Sequence, residues 1–406
     1  MFMYIDFLIK KILKRKQNII MVFICFFVII FIYVMNINSQ NILRDSLVSQ
    51  IKMNEKVIND KTKIMKSNDI ADSNIQSLQK EIDEINTTKK KYSNLVEHYE
   101  NKQWNKFYSG YLNELNNQKK VIQQTQNISK KDSNKNEYLE MIEATDKQIN
   151  IINHYRKNNL NYENSDYPIY GITFTLYLFK TVFPILLTAV SIYLLSQVFT
   201  FDYVENMDRS KLLSLTPIEK TVSKIIAGCI IVLGIFTICT LISVLIATFV
   251  TKNIGNDYPI MVLVDNHLTC IKAITVFVKV ICMNIFYMIF IILLSYIMSL
   301  LIRDSLTLLL ILLCMTIGCA YLPNILPVIK PFSHLFPFIY VNALLVIDGS
   351  LTQTFMNQNI HFNFGMMVLI TGMIVLIFLI VVFNQKIKHK IFIKNKKESN
   401  DTTLVK

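Results

Sequence analysis

Long apolar runs alternate with polar stretches along this 406-residue chain. Six of the runs reach the length, roughly 17–25 residues, at which a helix can cross the hydrocarbon core of a bilayer. We place them at residues 18–37, 181–200, 225–250, within 272–302, 306–322 and 366–383. The pattern therefore predicts an all-α polytopic membrane protein with six transmembrane helices.

Residues 38–168, between the first two runs, follow a different pattern. Apolar residues recur there at spacings of three and four, which places them on one narrow stripe of a helix. A stripe that narrow is typical of a coiled-coil seam. We expect long helices folded back as antiparallel hairpins, with turns near Gly110 and near residues 130–136. An extended, partly disordered polar stalk is the alternative.

Prolines dominate the segment 323–360, which we call the proline segment. Four of the chain's eight prolines fall within it, and prolines this close together prevent a long helix. We predict short half-helices that re-enter the outer leaflet, where irregular backbone is tolerated only if it is buried in protein or lines a water-filled cavity. His334 is a candidate substrate contact, with packing at the membrane interface as the alternative. The candidate pathway residues are Pro323, Pro327, Pro331, Pro337 and His334.

Charge is distributed unevenly along the chain, and its distribution predicts an orientation. The formal net charge is +13, yet residues 38–167 hold 20 Lys and Arg against 18 Asp and Glu. The excess lies in short segments at the membrane edges, which is the positive-inside pattern and not that of a nucleic-acid-binding protein. We expect both termini in the cytoplasm and residues 38–168 outside. The abundance of Lys, Asn and Ile is typical of AT-rich bacterial genomes, so the membrane is expected to be a bacterial plasma membrane.

Together these patterns divide the chain into seven segments. They are residues 1–37 (basic N-terminus and first transmembrane helix), 38–168 (helical, coiled-coil-like extracytoplasmic domain), 169–200 (interfacial helix and second transmembrane helix), 201–224 (polar cytoplasmic segment), 225–322 (third to fifth transmembrane helices), 323–360 (outer re-entrant segment) and 361–406 (sixth transmembrane helix and basic cytoplasmic tail).

Motifs for chemistry are missing from the sequence. It contains no P-loop, nucleophile elbow, zinc-protease motif or Rossmann fingerprint. Its six histidines are far apart, and six of its seven cysteines lie inside apolar runs, as small hydrophobic residues do. We therefore expect no catalytic residue, no cofactor and no metal site in this chain.

Residues 201–224, FDYVENMDRSKLLSLTPIEKTVSK, form what we call the polar segment. An acidic residue is expected to open a short amphipathic helix, a Leu pair can dock in the cleft of a soluble partner, and neighbouring charges can form ion pairs at the rim. A Pro starts the next helix, and a Lys stands at the mouth of the following span. An ordinary amphipathic connector is the alternative. The residues that carry the pattern are Glu205, Arg209, Leu212, Leu213, Pro217 and Lys224.

This arrangement resembles the membrane subunits of type-2 ABC exporters of bacteria. The resemblance extends over the chain by topology, but by motif only over residues 205–224, and Ser223 stands where the family often has Gly. It implies a permease subunit, paired with an identical or related permease, that carries a peptide, toxin, antimicrobial or lipid-like substrate. It also implies separate ATPase chains that bind ATP and Mg²⁺ and dock on the polar segment.

Other classes of protein remain as alternatives. A non-transporting membrane sensor or scaffold could use residues 38–168 to bind a partner and the basic tail to hold lipid headgroups. A mechanical ABC permease with four membrane helices has the wrong helix count. An ion-coupled secondary transporter would be expected to show an inverted repeat or a membrane-buried acidic residue, and neither is visible in the sequence.

Overall fold

The structure is a computed structural model that describes residues 1–66, 72–128, 135–204, 207–208, 214–264 and 267–403. The chain divides into two compact units. The membrane unit consists of Met1–Ile32, Tyr170–Ile254 and Ile274–Lys406. The helical unit consists of Tyr33–Ile169 and Gly255–Ala273.

Helices account for nearly all of the regular structure. The α-helices and strands are α1 (Phe2–Leu13), α2 (Lys16–Asn38), α3 (Ile42–Met65), α4 (Asp72–Glu100), α5 (Trp104–Ile128), α6 (Lys135–Lys157), α7 (Gly171–Thr181), α8 (Phe183–Thr200), β1 (Tyr203–Val204), β2 (Met207–Asp208), α9 (Pro217–Thr251), β3 (Pro259–Val264), β4 (His267–Lys272), α10 (Ala273–Leu301), α11 (Ser305–Leu313), α12 (Cys319–Ile325), α13 (Ala343–Ile347), α14 (Ser350–Phe355) and α15 (Phe362–Thr403). A π-helical turn, Cys314–Gly318, joins α11 to α12, and two 3₁₀ helices, Pro327–Leu335 and Pro337–Val341, follow α12.

Six helical stretches among the described residues are long and apolar enough to cross a membrane, which confirms the predicted number. They are Lys16–Met65, Phe183–Thr200, Pro217–Thr251, Ala273–Leu301, Ser305–Ile325 and Phe362–Gln385. The first of these continues past the apolar run into α3, which is polar. The chain therefore has the character of a multi-pass membrane protein with little sheet.

In the membrane unit, α7 packs against α9 and α13 and is buried over most of its length. The Thr175 hydroxyl lies 2.9 Å from that of Ser243, and the backbone N–H of Ile172 donates to the carbonyl of Ile254. Gly171 is required at this contact, because a Cβ there would come within 2.3 Å of the Thr248 hydroxyl. The interfacial helix predicted at the start of residues 169–200 stays a prediction.

The described part of the helical unit packs as two antiparallel helix pairs, α3 with α4 and α5 with α6. Ion pairs fix the register, with Lys89 bound to Glu55 at 2.8 Å across the first pair and Lys119 to Asp146 at 2.5 Å across the second. Helical structure for this region is thus confirmed, whereas its coiled-coil character and its side of the membrane stay predictions.

The turn predicted near Gly110 is wrong. Gly110 lies inside α5, and the chain reverses instead at residues 101–103, where Lys102 adopts a left-handed φ of 53°. Gly110 serves close packing, because a Cβ there would meet the Leu95 side chain at 2.7 Å. The turn predicted near residues 130–136 falls largely outside the described residues.

Aromatic rings form the core of the helical unit where α4, α5 and the segment after α6 meet. The Trp104 ring lies 5.4 Å from that of Tyr99, and both contact the ring of Tyr162. Burial in this core raises the pKa of Tyr111 to about 12. At the far end of the unit the predicted apolar stripe is less buried, and Leu139 is 47% exposed.

Between α9 and α10, β3 and β4 form an antiparallel hairpin. β3 pairs with β4 from Pro259 opposite Lys272 to Val264 opposite His267. The Val- and Ile-rich sequence of β3 suits a pleated, half-buried surface. The hairpin packs on α6, and the rings of Tyr155 and Tyr258 lie 5.6 Å apart.

The proline segment consists of short helices, as predicted, although its position relative to a membrane stays a prediction. Pro327 and Pro337 each begin a 3₁₀ helix, a position that needs no backbone N–H, and Pro323 lies inside α12. The Asn357 amide donates to the carbonyls of Lys330 and Pro331 at 3.1 and 2.9 Å. One side chain therefore satisfies backbone acceptors that a regular helix would satisfy internally.

Candidate functional site

The polar segment is described only in part. Tyr203–Val204 and Met207–Asp208 form a short antiparallel pair, so the amphipathic helix predicted from residue 205 onward is wrong at Met207 and Asp208. Tyr and Val favour extended backbone, which explains the pairing. The predicted docking residues Glu205, Arg209, Leu212 and Leu213 lie outside the described residues.

Pro217 is the first residue of α9, as predicted for the start of the next helix. Thr216 caps that helix: its hydroxyl accepts from the backbone N–H of Glu219, and the Glu219 carboxylate accepts from the backbone N–H of Thr216 at 2.8 Å. This capping box satisfies two donors that a helix N-terminus leaves unpaired. It fixes the point within the polar segment from which α9 runs for 35 residues.

A buried ion pair joins the two ends of the polar segment. Lys224, in the second turn of α9, lies 2.9 Å from the carboxylate of Asp202, which follows α8. The side chains are only 9% and 6% exposed. Lys224 also donates to the carbonyl of Phe199 at 3.3 Å. Because an unpaired buried charge is costly, each group depends on the other for its stability in this position.

A third side chain completes this cluster from the N-terminal helix. The Tyr4 hydroxyl donates to the same carboxylate oxygen of Asp202, at 2.6 Å. The Tyr203 ring lies beside the cluster, 5.6 Å from the Lys224 ammonium and 5.5 Å from the Arg303 guanidinium. Both cations lie within reach of the negative face of that ring. We call Tyr4, Asp202 and Lys224 the latch.

Helix α1 holds Tyr4 in this place. Its Tyr4, Ile5, Leu8 and Ile12 are buried and face α8 and α9. At the junction with α2, the Asn18 amide donates to the carbonyl of Ile12 at 2.7 Å.

Gln197 of α8 ties this junction to the rest of the site. Its side-chain oxygen accepts from Asn18 at 3.1 Å and from Arg15 at 3.0 Å. The junction between α1 and α2 is therefore fixed to the helix that leads into the polar segment.

The same end of α9 contacts two later helices. The Thr221 hydroxyl lies 2.7 Å from that of Tyr296 in α10 and donates to Asn384 of α15 at 3.1 Å. The rings of Phe199 and Tyr296 meet edge to face at 5.5 Å. A displacement of the polar segment would therefore act on α8, α9, α10 and α15 together.

The sequence pattern identifies Pro217 and one member of the latch, Lys224, but not Tyr4 or Asp202. Asp202 follows an apolar run at one end of the polar segment, and Lys224 stands at the other end. The spacing of the two residues in the sequence does not indicate that they form an ion pair. Helix α1 was missed as well, although Tyr4, Ile5, Leu8 and Ile12 have the spacing of one helical face.

His334, the other predicted contact, is half-buried in the proline segment. Its Nδ1 lies 3.0 Å from both the Asn357 amide and the carbonyl of Pro331, and its backbone carbonyl accepts from the Tyr340 hydroxyl at 2.6 Å. The ring also packs edge-on against Phe364. These contacts give His334 a structural role in holding the segment.

Across the part of the chain that the structure describes, no group of three or more His, Cys, Asp or Glu side chains is placed to hold a metal ion. The Asp304 carboxylate, at the start of α11, accepts a hydrogen bond from the backbone N–H of Thr307, and this bond holds the pKa of that carboxyl below its usual value.

Comparisons with models of known families, with curated proteins and with solved structures found no match.

Proposed function

We propose that this chain is the permease subunit of an ATP-binding-cassette exporter. Two permease subunits, identical or related, form the pathway, and separate ATPase chains supply the energy. The observation that carries the proposal is the latch, which joins the two ends of a polar segment lying between two apolar helices. A displacement of that segment would be transmitted through the contact of Asp202 with Lys224 to α8 and α9.

The chain itself contributes positioning and no bond chemistry. ATP and Mg²⁺ bind on the partner ATPase in this proposal, and the sequence of this chain contains no P-loop. Closure of the ATPase dimer would displace Leu212 and Leu213, and the capped start of α9 at Pro217 would transmit that displacement. Glu205 and Arg209 would fix the register of the partner through ion pairs at the rim.

The membrane side of the proposal rests on the apolar helices and on charge. The basic N-terminal and C-terminal segments support a bacterial plasma membrane protein with both termini in the cytoplasm and residues 38–168 outside. The proline segment, with Pro323, Pro327, Pro331 and Pro337, lies in the outer leaflet near the pathway. Exposed Val328 and Phe332, at 84% and 61%, provide apolar surface suited to a peptide or lipid-like substrate.

Photo-crosslinking tests the docking directly. Ser214 is exposed and follows the Leu pair, so a photoactivatable residue at position 214 should form an adduct with a protein that contains a P-loop. The matched control position is Val121, which is 59% exposed on the helical unit. Peptide sequencing of the adducts identifies the captured chain.

An ATPase adduct from position 214 and none from position 121 supports the proposal. No ATPase adduct from position 214, or the same adduct from both positions, would contradict it. Adducts of position 121 with another protein, without any ATPase, would favour the sensor or scaffold.

A further inference from the structure

Helix α1 carries a basic cleft that the proposed function does not use. The cleft has a volume of about 620 Å³ and is lined by Asp6, Phe7, Lys10, Lys11, Lys14 and Arg15. Four cations thus face a single carboxylate. Asp6 is already bound to Lys10 at 2.7 Å, so the cleft keeps a clear positive excess.

Two of the cations are fixed by the protein. Lys11 lies 3.9 Å from the centre of the Phe201 ring, and Arg15 donates to Gln197 at 3.0 Å. These contacts hold one wall of the cleft in place. Lys10, beside Asp6, and Lys14 are both exposed, and their ammonium groups can reach an anion.

The position of the cleft determines which anion it meets. Arg15 directly precedes α2, whose apolar residues Ile20, Phe23 and Phe27 are 58%, 65% and 69% exposed, as lipid-facing side chains are. Lys14 and Arg15 therefore lie within about one helical turn of the start of a span, at the depth of the headgroups, and Lys10 and Lys11 precede them by one further turn.

The other end of α1 is apolar and uncovered. Phe2 and Met3 are 82% and 88% exposed, whereas the opposite face of the helix packs on α8 and α9. A helix with exposed apolar and basic groups of this kind lies in the membrane interface, with its apolar side chains in the acyl boundary and its cations among anionic headgroups.

We propose that the α1 cleft binds the phosphate-bearing headgroup of an anionic phospholipid in the adjacent leaflet. The phosphate lies between Lys10, Lys14 and the fixed Lys11 and Arg15, while Phe2 and Met3 insert beside the acyl chains. The site does not depend on whether the chain transports anything. Because α1 also carries Tyr4, a lipid bound here holds the helix that completes the latch.

Native mass spectrometry of the full-length chain in a neutral detergent provides the test. We expect phosphatidylglycerol to bind in preference to phosphatidylcholine. The Lys10→Gln/Lys14→Gln variant should bind phosphatidylglycerol about 25-fold more weakly, at roughly a fivefold loss for each cation near the surface. The matched control Lys90→Gln/Lys91→Gln removes two exposed lysines from α4 and should bind as the wild type does.

A second arm separates the lipid from a free anion, since inorganic phosphate at the same concentration should not displace bound phosphatidylglycerol. Equal binding of the two lipids, an unchanged affinity in the Lys10→Gln/Lys14→Gln variant, or displacement by phosphate would overturn the proposal.

A fluorescence measurement tests the insertion separately, because Trp104 is the only Trp of the chain. After the Phe2→Trp substitution, brominated phospholipid should quench the added fluorescence more strongly than that of the wild type. Equal quenching of the two proteins would contradict insertion of this end of α1.

Discussion

The helical unit carries its ion pairs on its surface, whereas the membrane unit buries the pair formed by Asp202 and Lys224. In the helical unit, the side chains of Arg44 and Glu100 are 38% and 48% exposed, although they lie 2.5 Å apart. The side chains of Asp202 and Lys224 are 6% and 9% exposed at a separation of 2.9 Å. The two pairs therefore have similar geometry in very different surroundings.

Because of this difference in exposure, an ion pair has a different role in each unit. An exposed pair contributes about 0–1 kcal/mol, because water screens its charges and two long side chains must be ordered. A buried pair gains little over apolar residues, but losing one partner leaves an uncompensated charge. The surface pairs of the helical unit thus set register, while the latch makes the position of the polar segment sensitive to a single contact.

Removal of Asp202 should have the largest effect. The Asp202→Ala variant should lower the free energy of unfolding by about 3–5 kcal/mol, because Lys224 stays buried without its carboxylate. Denaturant unfolding of the purified chain in detergent measures the loss.

The control for that variant removes both charges. The Asp202→Leu/Lys224→Met variant should be more stable than Asp202→Ala, since neither charge remains buried. If the double variant proved less stable than the single one, the buried pair would not be the cause of the loss.

The Tyr4→Phe substitution should come next in size. It removes one hydrogen bond to a buried carboxylate, with an expected loss of about 1.5–3 kcal/mol in the same assay. Tyr193→Phe, at a tyrosine outside the latch, is the matched control and should cost less. Equal losses in the two variants would contradict a stabilising role of the Tyr4 hydroxyl in the latch.

Alkaline titration should affect the helical unit next. Burial, with the Glu114 carboxylate beside it, raises the pKa of Tyr92 to about 12. A raised folded-state pKa means that this stabilisation is complete below pH of about 10, the pKa of an unfolded tyrosine, and is lost as pH rises through about 12. Tyrosinate absorbance should therefore show a fraction that ionises late, and Tyr92→Phe should reduce it. Ionisation of every tyrosine near pH 10 would contradict this core.

Loss of a surface pair should have the smallest effect. Glu55→Gln removes the partner of Lys89. The side chains of Glu55 and Lys89 are 49% and 33% exposed, so the substitution should change the free energy of unfolding by at most about 1 kcal/mol. A loss as large as that of Asp202→Ala would erase the distinction between the two units.

The sequence was sufficient for features that depend on long runs. Six apolar stretches, helices over residues 38–168 and short helices in the proline segment all followed from composition and spacing, because the length of a span and the missing N–H of proline act locally. Pro217 at the start of α9 is a local feature of the same kind.

Contacts between distant residues could not be predicted in this way. Asp202 and Tyr4 are 198 positions apart, and nothing in the spacing of either residue specifies the other. Glycine often marks a turn, which is why the sequence predicts one near Gly110, whereas in the structure Gly110 lies inside α5 and packs closely against Leu95. The hairpin of β3 and β4 was hidden because a short apolar run in a polar stretch has no clear period.

ATP hydrolysis, measured in material purified with the full-length chain from its native membrane, tests whether the polar segment docks an ATPase. The sequence contains no P-loop, and the proposed function assigns hydrolysis to a partner chain. The account predicts hydrolysis with the wild type and with the Val121→Asp/Met141→Asp control, both exposed positions of the helical unit, and its loss with Leu212→Asp/Leu213→Asp. No hydrolysis with the wild type, or equal hydrolysis with Leu212→Asp/Leu213→Asp, would contradict it.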